Sequence, residues 1–258
     1  MSFFSEKPLL ILLCVLPFAS VSATAAESCD NLFHTGSGKE KPTWDEKTQK
    51  RIESCAADYQ AALGGKKPVV AQLDPSKEST GSDQFYQGDG YKVHVTKTSV
   101  ELDGAKGFVY GVIVELEPEF AEGNMHSMLH TTFYTVEAMK KTEPSAAPFH
   151  LGTGKDKPEW NEKAGKRVQA CTADYQAVVD GKKPVHAKAA AKQDAHFYKG
   201  EGYTLDIIEE SVEIGGVAGF FYGPVLDFEP DISRGGDMDS ISHVTFYTAD
   251  QMKKLLGK

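Results

Sequence analysis

Phe33 to Leu73 lines up without gaps on Phe149 to Ala189, at an offset of 149 − 33 = 116 and with 24 identities in 41 positions. After a shorter connection the offset becomes 197 − 85 = 112. Phe85-Tyr86-x-Gly88-x-Gly90-Tyr91 then recurs as Phe197-Tyr198-x-Gly200-x-Gly202-Tyr203. The match runs to the end, where His130-x-Thr132-Phe133-Tyr134-Thr135 recurs as His243-x-Thr245-Phe246-Tyr247-Thr248. A period this long is a domain duplication and not a solenoid of small repeats. The expected organisation is a leader over residues 1–26, a first copy over 27–143 and a second over 144–258. Lys141 to Pro148, rich in Pro, Ala and Ser, reads as the connection between them.

Each copy carries the same pattern. A Gly-Lys loop leads into an amphipathic helix, with Trp44, Ile52, Cys55, Tyr59 and Leu63 of copy one at three- and four-residue spacing. Gly64-Gly65 and Asp180-Gly181 end the two helices. A polar loop follows, Asp74 to Asp83 in copy one and from Ala187 in copy two. Two strand-like runs come next, Tyr91–Leu102 and Gly107–Leu116, turned by Asp103-Gly104. Their counterparts are Tyr203–Ile214 and Gly219–Phe228, turned by Gly215-Gly216. An acidic loop then precedes a strand expected to open at the His-x-Thr, and a short helix closes the unit (Val136–Lys141; Ala249–Leu256). The expected class is α+β, an antiparallel sheet with helices packed on it.

Lys7 followed by the apolar run Leu9 to Phe18 and by small residues up to Ala26 has the form of a cleavable secretory signal. The run is too short to span a bilayer. A secreted or periplasmic chain, with no membrane partner, is the expectation. The net charge is −9, and Glu6 and Lys7 cancel within the leader. Such a balance argues against gripping long nucleic acid, which takes clustered positive charge. It is compatible with a small charged ligand in a local basic pocket or with a basic protein partner. Of the cysteines left after the leader, Cys55 and Cys171 occupy equivalent positions and read as buried thiols, and Cys29 has no counterpart.

On a strand, residues i and i+2 face the same side, so His130 with Thr132, and His243 with Thr245, project into one space. An imidazole moves protons near neutral pH, and a hydroxyl beside it can hold a phosphate oxygen. Lys39, Lys41, Lys155 and Lys157 lie in glycine-containing loops beside His34 and His150, where they could meet a phosphate. His126, four residues before His130, has Asp239 as its counterpart, and no C-x-x-C or helical H-x-x-x-H occurs, so no metal or cofactor is expected. His94, His186 and His196 lack counterparts and read as surface residues. The acidic loops Glu115–Glu122 and Asp227–Asp239 read as solvated.

The repeated His-x-Thr, the Gly-Lys loop and this order of elements resemble the 2H phosphoesterases, and more narrowly the catalytic domain of 2′,3′-cyclic-nucleotide 3′-phosphodiesterases. The resemblance covers nearly all of the chain after the leader in element order, with its identities concentrated in short motifs. It implies metal-free hydrolysis of a 2′,3′-cyclic phosphate on a nucleotide or RNA end. It further implies His34 paired with His130, and His150 with His243, as general base and acid. Thr132 and Thr245 would orient the phosphate, with Lys39 and Lys155 in support. The chain departs from that pattern in its first motifs, His34-Thr-Gly-Ser and His150-Leu-Gly-Thr. There a glycine holds the hydroxyl position and Ser37 or Thr153 stands one residue further on. Two other arrangements stay open. One is a non-catalytic exported binding, inhibitor or immunity protein. The other pairs one motif from each copy across their interface, which brings His130 beside His243.

Overall fold

The computed structural model describes residues 32–34, 42–77, 83–123, 126–141, 148–150, 160–190, 196–234 and 240–257. The expected leader, Cys29, Ser37, Lys39, Lys41, Thr153, Lys155 and Lys157 lie outside them. In chain order the elements are β1 (Phe33–His34), α1 (Glu46–Leu63), β2 (Gln72–Leu73), β3 (Gln84–Gln87), β4 (Tyr91–Leu102), β5 (Ala105–Leu116), β6 (Ala121–Gly123), β7 (Ser127–Thr135) and α2 (Val136–Lys141). Copy two supplies β8 (Phe149–His150), α3 (Glu162–Val179), β9 (Lys188–Ala189), β10 (Phe197–Lys199), β11 (Tyr203–Ile214), β12 (Val217–Phe228), β13 (Ser233–Arg234), β14 (Ser240–Thr248) and α4 (Ala249–Leu256). The fold is α+β with one large, mainly antiparallel sheet. No helix among the described residues is long and apolar enough to cross a membrane.

Local chemistry accounts for the elements. The side chain of Asp45 caps α1 by accepting from the Thr48 N–H at 2.8 Å, and Asn161 caps α3 by accepting from Ala164 at 2.9 Å. Gly65 and Gly181, with φ of 70° and 71°, carry the chain out of each helix in the left-handed region. Trp44 precedes the helix instead of riding on it, yet it is buried. β4 and β5 pair without a break from Tyr91↔Leu116 to Leu102↔Ala105. Asp103 (φ 46°) and Gly104 (φ 85°) form their two-residue turn, whose positive dihedrals match the twist of a tight hairpin. β11 and β12 repeat this around Gly215-Gly216.

The hairpins join edge to edge. The sheet runs β2-β3-β4-β5-β7-β14-β12-β11-β10-β9, so β7 of copy one meets β14 of copy two at its centre. That antiparallel pair sets His130 opposite His243 and Leu129 opposite Val244. The histidines sit in the middle of their strands, not at the start, because pairing with β5 begins at Ser127 and with β12 at Ser240.

The copies also exchange their first strands. β1 of copy one lies parallel to β14 of copy two, with Phe33 beside Phe246, and β8 of copy two lies parallel to β7 of copy one, with Phe149 beside Phe133. The indole of Trp44 donates to the Ile214 carbonyl at 3.1 Å, and that of Trp160 to the Leu102 carbonyl at 3.3 Å. The end of the expected connection is therefore docked: Pro148 accepts from the Phe133 N–H at 3.0 Å. Two hydrophobic cores result, and each draws on both copies. The core around α1 includes Val212, Ile214, Phe221, Val244 and Phe246, and the core around α3 includes Val100, Leu102, Val109 and Phe133.

Sequence copies and packing units thus differ. Stripped of copy one, copy two would expose those five large apolar side chains at roughly 2 kcal/mol each. That is roughly 10 kcal/mol, comparable to the whole stability of a typical domain. Residues 27–143 and 144–258, expressed separately, are expected to lack a cooperative thermal transition, and mixing them is expected to restore it. A half that melts cooperatively alone would contradict the exchanged arrangement.

Candidate functional site

The seam between β7 and β14 gathers the repeated histidines. The rings of His130 and His243 lie 4.7 Å apart between centroids at an interplanar angle of 58°, which is direct aromatic contact. They are 5 % and 3 % exposed. Tyr59 of α1 meets His130 edge-on at 6.4 Å. His34, brought in by the exchanged β1, stacks on Tyr247 at 4.3 Å, two strand positions beyond Thr245. Burial pushes His243 well below the ordinary histidine range, and the neighbouring His130 and then His34 push the same way. Nδ1 of His243 has no hydrogen-bond partner among the described residues. The backbone of His150 sits beside Tyr134, the mirror of His34 beside Tyr247.

The two copies of the motif are joined at close quarters. A Cβ on Gly111 would come within 2.2 Å of the His130 carbonyl oxygen, and one on Gly223 within 1.7 Å of the His243 carbonyl oxygen. Glycine at both places lets β5 and β12 lie flat against the histidine strands. On the far face, the Thr131 hydroxyl meets the Ser242 hydroxyl at 2.9 Å and accepts from the Ser242 N–H at 2.8 Å.

The threonines expected to orient a phosphate are engaged otherwise. The hydroxyl of Thr132 donates to the Pro148 carbonyl at 2.7 Å, and that of Thr245 donates to the Leu32 carbonyl. Each ties down the residue that leads into the exchanged strand. His34 and His130, expected as a pair within copy one, lie on β1 and β7, His34 beside Tyr247 of β14 and His130 opposite His243. The arrangement that brings His130 to His243 is the cross-copy one. His94 departs from its reading as a surface residue: it is half-buried, stacks on Phe85 at 4.2 Å and meets Asp83 at 3.2 Å.

Two further constellations carry no motif. Asp58 is fully buried on α1 and accepts from the backbone N–H groups of Val69, Val70 and Ala71 at 2.6–2.8 Å and from the Tyr91 hydroxyl at 2.7 Å. Asp174 does the same for Val185, His186, Ala187 and Tyr203. An acid repeated on the apolar face of both helices, one turn after the cysteine, was the available signal. Burial, with that carboxylate nearby, pushes the Cys55 and Cys171 thiols well up, and both residues are buried as expected. The buried Arg51 pairs with Asp89 at 2.9 Å and Glu119 at 3.2 Å. Arg167 pairs with Asp231 at 2.7 Å and with Asp103 of copy one at 3.2 Å. The acidic loops are therefore bonded to the core in part, not simply solvated.

Among the described residues no group of three or more His, Cys, Asp or Glu is arranged to hold a metal ion. Open grooves occur away from the seam, one of about 650 Å³ beside Arg167, His186 and Tyr203 and one of about 480 Å³ beside Lys77, Asp83 and Phe85. Comparison with protein-family models, with curated proteins and with solved structures finds no match to this chain.

Proposed function

We propose that this chain is an exported, non-catalytic binding protein of the inhibitor or immunity type. The engagement of Thr132 and Thr245 carries the reading. Their hydroxyl protons go to the carbonyls of Pro148 and Leu32, and the imidazoles between them touch each other. A phosphate bracketed by two ring nitrogens needs hydrogen bonds of about 2.8 Å on either side, in addition to its own width. Rings in contact leave no such layer. The pair instead joins two copies whose cores are shared, which suits a rigid scaffold for recognition.

One observation favours a second reading. His34, His130 and His243 converge on one region, and paired imidazoles are the acid–base equipment of a 2H phosphoesterase fold. In that reading a 2′,3′-cyclic phosphate enters where the rings now meet, and one histidine activates water while another protonates the leaving oxygen.

Hydrolysis of 2′,3′-cyclic AMP by the mature chain, with EDTA present, separates the two. The expected result is no turnover by protein shown to be folded. Release of a nucleoside monophosphate that disappears in His130→Ala/His243→Ala would replace the binding reading with the catalytic one.

A further inference from the structure

The segment after each long helix ends in the same exposed tip, Lys66-Lys67-Pro68-Val69 in copy one and Lys182-Lys183-Pro184-Val185 in copy two. Elsewhere some exposed charges are likewise kept, as Glu46, Lys47 and Lys50 are at Glu162, Lys163 and Lys166, and others differ. Lys97 corresponds to Glu209, His94 to Asp206 and Lys106 to Ala218. The tips have kept both lysines and the valine, although these side chains do little within the fold. Those of Lys66, Lys67 and Lys183 make no hydrogen bond or ion pair with the described residues, and Lys182 has one exposed contact with Asp180 at 3.4 Å. Val69 and Val185 stand 68 % and 71 % exposed. Of the five large apolar side chains exposed among the described residues, Val69 and Val185 belong to the tips, and Val70 and Leu73 follow directly in copy one.

The backbone beneath each tip is held firmly. Asp58 and Asp174 each fix three successive N–H groups from within the core, starting at the valine. Apolar side chains displayed on a clamped backbone lose little conformational freedom on docking, which favours recognition. The clamped segments run into β2 and β9, the outermost strands of the sheet's main path, so the tips stand at its two opposite edges.

We propose that the two tips are equivalent docking sites for an acidic protein surface, two per chain. Each valine would enter an apolar contact, and the two lysines would pair with carboxylates around it. This rests on the binding reading above and names its partner class. Charge excludes the other large ligands. Recognition of anionic lipid takes clusters of about four to eight basic residues, and each tip has two on a chain of net charge −9. Long nucleic acid takes a continuous basic track.

The test uses the full mature chain and a random glutamate–tyrosine copolymer as an acidic, partly apolar polypeptide probe, followed by calorimetry at low salt. Wild type is expected to bind at two equivalent sites. Lys66→Glu/Lys67→Glu/Val69→Ser is expected to remove one site, and the same change at Lys182, Lys183 and Val185 the other, with thermal midpoints unchanged. Lys66→Arg/Lys67→Arg is expected to keep both. Absence of copolymer binding, equal binding after both tips are changed, or preference for phosphatidylglycerol vesicles or a single-stranded oligonucleotide would overturn the proposal. Because the tips are remote from the seam, a cyclic-phosphate turnover result would strike the binding reading and leave these outcomes separately readable.

Discussion

Acidification through the histidine range is expected to destabilise the folded chain steeply, and His243→Gln is expected to flatten that loss. His243 is buried against His130, with His34 adding its field from the exchanged strand, Tyr59 packed edge-on to His130 and Tyr247 stacked on His34. Its proton affinity is therefore lower in the folded chain than in the unfolded one, where a histidine titrates near 6.5. A depressed value means that the unfolded chain takes up the proton first. Stability is then intact above about pH 6.5 and falls progressively below it, until the folded value is reached. Each tenfold difference in proton affinity is worth about 1.4 kcal/mol, so the share of the loss that His243 carries grows as the pH falls below about 6.5. Urea unfolding between about pH 7.5 and 5, above most carboxylate titration, measures it. Glutamine at 243 stays neutral throughout. An identical fall in midpoint for wild type and His243→Gln would show that the seam does not carry the acid sensitivity.

Replacing Asp174 with alanine is expected to be the most damaging single truncation in copy two, at about 3–5 kcal/mol. The carboxylate accepts three backbone N–H groups at 2.7 Å and the Tyr203 hydroxyl at 2.7 Å while itself fully buried. Hydrogen bonds to a charged group contribute about 1.5–3 kcal/mol each, and a buried donor left without its acceptor costs about 1–3 kcal/mol. The full sum overstates the loss, because Val185 and His186 lie at the surface, where water can reach their N–H groups. Asp58→Ala is expected to behave alike, and both variants should loosen the tips whose backbone they release. Denaturant titration gives the stability change, and amide exchange at 69–71 and 185–187 gives the local one. A loss below about 1 kcal/mol would mean that the carboxylate is not the anchor its geometry describes.

Much of this fold was readable residue by residue, and the reason is that it is local. Helices α1 and α3 follow from apolar residues at three- and four-residue spacing that stop at a glycine exit. Both helices run 18 residues to those exits and start after the tryptophan that the spacing had placed on the first of them. The hairpins follow from β-branched and aromatic runs around Asp103-Gly104 and Gly215-Gly216. The buried cysteines follow from their place on the helical stripe. At the site, the i, i+2 alternation was enough to put each His-x-Thr on one side of its strand.

What no local pattern carried was the choice of partner. Phe33-His34 and Phe149-His150 are identical, and so are the Thr-Phe-Tyr-Thr strands that receive them. Either strand offers either segment nearly the same side chains. The pairing is decided by how chain connectivity and the seam place the strands in space, and those are properties of the assembled sheet. The same holds for Thr132 and Thr245, whose hydroxyls suit a phosphate until the exchanged strands bring the Pro148 and Leu32 carbonyls within reach. It holds also for Asp58 and Asp174, whose partners lie 11 to 33 residues away. The duplicated units were written in the pattern of residues, whereas their interlocking, and the contact of His130 with His243 at its centre, arises from long-range packing.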